Sequence, residues 1–268
     1  MPAKRYDGSM VVNAVTGGSV QRRAAAHVDR SSVDIQRRYY TEIARVYDAM
    51  HVRENDGHDA ALRFISALVE PCRLRTVLDV GCGTGRAVRY FRAQHAELVV
   101  HGIEPIEALL REAVDVRGVA AESVVRGRGE CLPYADGSFD AVCEFGILHH
   151  VRDPNVVVRE MLRVARRAVF LSDANRFGQG AYVSRLAKLV LHRAKLWPLA
   201  NYVKTRGRGY TVTAGDGLAY SYSVFDSYDL LSGWAPRVIL VPTCPTSATS
   251  WAHPLLTAGQ VLACALRE

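Results

Sequence analysis

The sequence predicts an α/β fold: a seven-stranded, mostly parallel sheet with helices on both faces and an insertion after the fifth strand. Three observations carry this. Short apolar runs alternate with helical patterns from Thr76 to Ser172, the texture of βαβ units. The first of these runs ends directly in a glycine-rich loop, Gly81 to Gly85. The rhythm then breaks between about Asn175 and Val224 and resumes to the end of the chain.

Taken in order, residues 1–35 are rich in Gly, Ser, Ala and Arg without periodicity and are expected to form a mobile tail. Ile35, Tyr39, Ile43, Val46, Tyr47 and Met50 recur at steps of three and four, predicting a helix. A second helix fits Gly57 to Glu70 and stops at Pro71. The cofactor-type domain, 36–174 and 225–268, then follows. Strands are expected at Thr76–Val80, Leu98–Ile103, Ser123–Arg126, Phe139–Phe145 and Ala168–Ser172, with helices at Arg86–Gln94, Ile106–Val114 and Asn155–Ala165. Right-handed crossovers place those helices on both faces. In 175–224 a helix from Ala181 to Leu196 precedes a Gly- and Tyr-rich stretch, so this segment reads as a lid. A helix near Asp226–Ser232 and strands at Arg237–Val241 and Val261–Leu266 complete the sheet.

Composition narrows the class. The chain has 268 residues, 49% of them hydrophobic and 23% charged, which suits one folded α/β domain with an addition. No uninterrupted apolar stretch is long enough to span a bilayer. The N-terminus lacks the apolar core of a secretory signal, so a cytoplasmic location is expected. Six cysteines occur without a CxxC pair or zinc-like spacing; free thiols and no metal are expected. The net charge of +7 is uneven. Ala174 to Gly215 holds no acidic residue but carries Arg176, Arg185, Lys188, Arg193, Lys195, Lys204, Arg206 and Arg208. A one-signed segment suggests an anionic partner or a solvated face.

The loop Asp79-Val80-Gly81-Cys82-Gly83-Thr84-Gly85 carries the chemistry. Glycines adopt backbone angles other residues avoid and remove Cβ atoms from a ligand's path. After the first strand of a parallel sheet, the loop lies at the carboxyl edge where ligands bind. A dinucleotide fingerprint needs a third glycine where Arg86 stands, and no Gly-Lys-Ser/Thr of a P-loop follows. Asp79 beside the loop suits a ligand bearing an ammonium. Glu104, at the end of the second strand, is placed to accept ribose hydroxyls.

Four ordered stretches resemble one family: Val77 to Gly85, Gly102-Ile103-Glu104, Glu130 to Asp140, and Ile147-Leu148-His149-His150-Val151. They are similar to the class I, Rossmann-like S-adenosylmethionine-dependent methyltransferases grouped as type 11. The likeness runs from about Tyr40 to Ser172 and is more specific for fold and cofactor than for substrate. It implies that Asp79, Gly81, Cys82, Gly83 and Gly85 hold the methionine part of S-adenosylmethionine and Glu104 the ribose. Gly129, Glu130 and Cys131 would pass the adenine, with Pro105 or Ile106 on its face. Phe145 and Gly146 would line the cleft near the sulfonium, and Tyr40 and Tyr47 would close over the cofactor. Two departures stand out. Arg128 replaces an aspartate that commonly meets the adenine amino group, and Val164-Ala165-Arg166-Arg167 replaces a Lys-Pro-Gly-Gly turn, which implies a tighter connection.

Methyl transfer needs alignment above all, and a base where the acceptor is a hydroxyl. His149 and His150, just past the fourth strand, are the candidates, His149 first; each also reads as a capping or packing histidine. In the lid, Tyr210, Tyr220 and Tyr222 suit an aromatic wall, and Lys204, Arg206 and Arg208 suit a phosphate or carboxylate. The helix at Ala181–Leu196 reads first as an amphipathic helix packed on the sheet, with a helix lying on a membrane surface as the less favoured alternative. No Asn/Asp-Pro-Pro-aromatic motif of amino-methylating nucleic-acid enzymes occurs, so nucleic acid is not the expected partner. The expected activity is methylation of a small molecule, O-directed, on an anionic or phosphate-linked metabolite, sugar or lipid precursor. The alternatives are an RNA methyltransferase and a non-catalytic partner protein with this fold.

Overall fold

The computed structural model describes residues 30–244 and 254–267. Most of the expected N-terminal tail lies outside the described residues, and the first helix, α1, spans Arg30–Ile43, starting before the expected Ile35. A single turn leads to α2 (Tyr47–His51) and then α3 (Gly57–Leu68). The Asp56 carboxylate caps α3 by accepting from the Asp59 N–H, satisfying a donor that helix geometry leaves free.

The sheet begins with β1 (Thr76–Val80), followed by α4 (Arg86–Gln94), β2 (Val99–Glu104), α5 (Glu107–Arg111), β3 (Val124–Arg126) and β4 (Phe139–Phe145). Next come α6 (Pro154–Val164) and β5 (Ala165–Ala174). Strand β5 starts on the residue after α6 ends, the tight connection implied by the missing glycine turn. Beyond β5 lie α7 (Tyr182–Arg193), α8 (Trp197–Lys204), the hairpin β6 (Tyr210–Thr213) and β7 (Gly217–Tyr220), α9 (Tyr228–Trp234), β8 (Arg237–Pro242), α10 (Pro254–Thr257) and β9 (Gln260–Leu266).

Seven strands form one sheet in the order β3-β2-β1-β4-β5-β9-β8. All neighbours are parallel except β9, which runs antiparallel to both β5 and β8. Order reverses between β1 and β4, so the crevice outside their carboxyl ends is the switch point where ligands bind in such sheets. Strands β1, β4 and β5 are buried along most of their length, which is why they are rich in apolar residues. One core, with Leu62, Ile65, Val77, Phe91 and Phe170, lies on the α3–α4 face. The other, with Leu78, Val142, Val157, Met161 and Leu171, lies on the α6 face.

Helix α8 and the β6–β7 hairpin are elements the sequence pattern did not mark as such. The hairpin turns through Ala214-Gly215-Asp216, between the paired Thr213 and Gly217. Gly217 has φ +63. Among the described residues, all six cysteines are free, and no helix is long and apolar enough to cross a membrane.

Candidate functional site

The loop after β1 is built by backbone, as its composition implied. The N–H groups of Gly81 and Cys82 both donate to the Ile103 carbonyl at 2.7 and 3.1 Å, tying the loop to the end of β2. Gly81, Gly83 and Gly85 have φ of +75, +54 and +79. A Cβ on Gly81 would sit 2.5 Å from Ile147 Cγ2, and one on Gly83 would sit 3.5 Å from the Tyr47 hydroxyl. Arg86, at the position of the missing third glycine, instead makes a two-pronged pair with Asp56 at 2.9 Å.

Two buried acids face this loop. The Asp79 Oδ1 atom has no hydrogen-bond partner. Burial, then the neighbouring Glu104 charge, pushes the Asp79 carboxyl up to about 8. Burial also raises Glu104, to about 7, against the N–H groups of Ile106 and Gly83 that its oxygens accept at 2.9 and 3.1 Å. An orphaned, buried carboxylate oxygen is costly unless a cation meets it. The ammonium of S-adenosylmethionine supplies such a charge, so these residues fit that cofactor.

The helices before the sheet close on the loop. Asp48 in α2 accepts from Thr84 Oγ1 at 2.5 Å and pairs with Arg117 at 3.0 Å. The Tyr47 ring stacks on His51. Tyr40 reaches past the loop: its hydroxyl lies 2.9 Å from His150 Nε2. Beyond Glu104, Pro105 and Ile106 line a groove of about 280 Å³ together with Arg37, Arg111 and Arg126. On the neighbouring turn, Arg128 pairs with Glu130 at 2.5 Å, so the arginine that departs from the family pattern neutralises the glutamate two residues on. Gly129 packs where a Cβ would meet Val157 at 2.9 Å, and Cys131 is exposed.

At the carboxyl ends of β4 and β5 a second cluster forms. Gly146 has φ +75, and a Cβ there would meet His58 Nε2 at 2.9 Å. Phe145 lies edge-on to the same His58 ring. Asp173, at the end of β5, accepts from the N–H groups of Leu148 and His149 at 2.8 and 3.3 Å and holds His149 Nδ1 at 2.7 Å. His149 Nε2 lies 3.4 Å from Asp216 Oδ2, and Asp216 comes from the β6–β7 turn. Burial alone would lower the His149 pKa, but the Asp173 and Asp216 carboxylates push it up to about 10. His150 differs. Its Nδ1 donates to the Leu218 carbonyl at 2.7 Å, and burial plus the adjacent His149 push it down to about 4. The two neighbouring histidines are therefore shifted in opposite directions.

His149, Asp173 and Asp216 line a cavity of about 420 Å³ between the sheet edge and α7, α8 and the hairpin. Lys204, Tyr210, Tyr220 and Tyr222 also line it. Tyr210 and Tyr220 face each other across the hairpin, edge to face. Tyr222 is largely buried, its hydroxyl on Ser227 Oγ at 2.9 Å, and so forms a wall anchored in the core. Arg206 and Arg208 are exposed, not among the lining residues, and Arg208 Nε donates to the Thr205 carbonyl.

Among the lining residues that sequence reasoning did not assign to a site are His58, Asp173 and Asp216, while Arg176 was named only within the basic segment. Arg176 spans the cavity wall, with its guanidinium on Asp226 and over the Trp197 ring. Asp173 had a readable signal, an acid at the carboxyl end of a buried strand. Asp216 had only a turn signal, because its role depends on where the hairpin folds back.

Residues 78–171 match the family described as a methyltransferase domain. On a sheet of this order, with this loop at its switch point, that part of the chain is similar to such a domain and has the fold of class I, S-adenosylmethionine-dependent methyltransferases. A norajmaline N-methyltransferase from Rauvolfia serpentina is 33% identical over 126 residues, 44% of this chain and 43% of that one. An uncharacterized methyltransferase from Mycolicibacterium gilvum is 39% identical over 93 residues, 34% of this chain and 35% of that one. The chain thus spans well under half the length of these curated relatives. Among solved structures, a Thermotoga maritima S-adenosylmethionine-dependent methyltransferase, described as a possible histamine N-methyltransferase, aligns with a TM-score of 0.53 at 19% identity, over 88% of this chain and 99% of that one. The magnesium protoporphyrin IX methyltransferase of Synechocystis, solved with S-adenosylhomocysteine, aligns with a TM-score of 0.53 at 18% identity, over 88% of this chain and 100% of that one. At these identities the structural likeness speaks for the fold.

Proposed function

We propose that the protein methylates a hydroxyl of a small, anionic acceptor held in the cavity beneath a lid formed by residues 175–224. The observation that carries this reading is the Asp173–His149 pair opening onto that cavity at the carboxyl ends of β4 and β5. A hydroxyl becomes a good nucleophile only as it loses its proton, and an oriented imidazole can take it. Bound S-adenosylmethionine supplies the activated methyl group.

Asp79, the loop backbone and Glu104 hold the cofactor, with Tyr47 over the loop. Asp173 fixes the His149 ring and its Nδ1 proton, which leaves Nε2 aimed at the cavity. Asp216 occupies the position an acceptor hydroxyl needs, 3.4 Å from Nε2. When the acceptor displaces Asp216, His149 loses a partner that keeps it protonated and so becomes a competent base at lower pH. Lys204 at the cavity wall attracts the acceptor's anionic group, and the Tyr210 and Tyr220 rings cover its apolar part.

The test is transfer of labelled methyl from S-adenosylmethionine to a panel of hydroxylated carboxylates and phosphates, their amine analogues, and RNA. Label in the hydroxyl compounds is the expected result. Label confined to amines, as the plant relative's name would suggest for that enzyme, or confined to RNA overturns the O-directed reading. Cofactor binding with no transfer to any class would favour a non-catalytic role.

A further inference from the structure

Helices α7 and α8 are built inside out. A helix packed on a domain buries its apolar stripe and sends its charges to water. In α7, Arg185 and Lys188 instead face inward. Arg185 donates to the carbonyls of Gly180 and Leu256 at 2.7 and 2.9 Å. Lys188 donates to the carbonyls of Arg176 and Gln179. On the opposite side Val183, Leu186 and Val190, spaced three and four apart, face solvent. Helix α8 repeats the inversion. Trp197 and Asn201 turn inward, to Ser221 Oγ at 3.2 Å and the Gly209 carbonyl at 3.4 Å, while Leu199, Tyr202 and Val203 face out. No residue of either helix is buried, and Val183, Val190, Leu199, Tyr202 and Val203 are each 61–79% exposed. The expectation of a helix packed by its apolar face on the sheet does not describe this arrangement.

Apolar side chains displayed in one stripe on two adjacent helices mark a binding surface. Its charge selects the occupant. Arg193, Lys195, Arg206 and Arg208 are exposed around the stripe, and no acidic residue lies between Ala174 and Gly215. A symmetric contact with a second copy would set these like charges against each other. An anionic bilayer satisfies both features, with the apolar stripe in the acyl boundary and the cations among the headgroups.

We infer that α7 and α8 dock the protein on an anionic membrane surface. The inward faces of the same helices supply Lys188, Trp197, Asn201 and Lys204 to the acceptor cavity. Docking therefore brings the cavity wall to the lipid headgroups, where an acceptor with an apolar tail would be held. The surface assignment does not depend on methyl transfer and is tested without an acceptor.

The test is flotation of the full chain with phosphatidylcholine vesicles, with and without about one-third phosphatidylglycerol. The chain is expected to float with the anionic vesicles and to release with salt. The exposed set Val183→Ser, Val190→Ser, Leu199→Ser and Val203→Ser should lower partitioning roughly tenfold or more. Arg193→Glu with Arg206→Glu should lower it by roughly fivefold per lost charge. Cofactor binding by calorimetry must be unchanged in both variants, which establishes that they are folded. Wild-type chain that stays with the soluble fraction, or partitioning that neither variant alters, overturns the proposal. A wild-type dimer by light scattering that the serine variant dissociates, with no vesicle binding, would assign the surface to a second copy instead.

Discussion

The loop after β1 and the segment from α7 to β7 are built on opposite plans. The loop is buried, held by backbone hydrogen bonds, and assembled from seven consecutive residues with Glu104 close by on the adjacent strand. The α7–β7 segment is exposed on its outer face and joined to the site through single side chains, with Asp216 on His149 and Tyr39 on the Ala214 carbonyl. The loop has little freedom, since glycine φ values and close neighbours leave no room for side chains. The other segment is anchored at β7, where Leu218 is buried and bonded through its backbone to His150 and Gln36, while α7 and α8 bury no residue. The proposed cofactor side is therefore built into the core, and the proposed acceptor side is built largely from surface elements.

The largest expected effect lies where the two regions meet. His149→Ala should lower kcat by roughly 10²–10⁴ with an unchanged cofactor dissociation constant; steady-state kinetics beside calorimetry would check it. An equal loss of cofactor binding would mean the histidine only supports the crevice. Within the loop, Gly81→Val forces a branched side chain to φ +75 with its Cβ 2.5 Å from Ile147. A strain of about 1–3 kcal/mol is expected, read as a fivefold to hundredfold loss of cofactor affinity, while vesicle binding is retained.

The contact between the regions also sets a pH dependence. His149 is raised to about 10 by Asp173 first and then Asp216, so a rate that needs the neutral ring should rise with pH. Asp216→Asn removes one raising charge. The neutral ring is then populated at lower pH, and the rising limb of the pH–rate profile should move acidward by about one unit. A profile that moves alkaline would break the assignment of Asp216 as the partner. The smallest effect is expected at the cavity wall. Lys204→Ala should raise KM for an anionic acceptor a few-fold, as a partly exposed ion pair would. Arg206→Ala and Arg208→Ala, outside the cavity lining, should leave KM unchanged and weaken only vesicle binding.

Legibility followed the same division. Strands β1 and β4 and helix α4 could be read to the residue, because the buried strands are dominated by apolar residues and the glycine loop marks where β1 stops and α4 starts. Glu104 was legible for the same reason. Helix α8 and the hairpin were not marked, since their stability comes from Trp197, Asn201 and Tyr39 bonding to partners in other elements. The lid cations were read as one group from composition, yet only Lys204 of Lys204, Arg206 and Arg208 faces the cavity.

By itself, then, the sequence determined the parallel sheet, the loop at its switch point and the acid at the end of β2. All three rest on local backbone geometry and on burial patterns a few residues long. Only the tertiary structure decided that Asp173 and Asp216, 43 positions apart in the chain, meet on His149. It alone showed that α7 and α8 turn their apolar stripes outward. An amphipathic pattern states that a helix has two faces, and the partners each face finds decide which of them meets the protein.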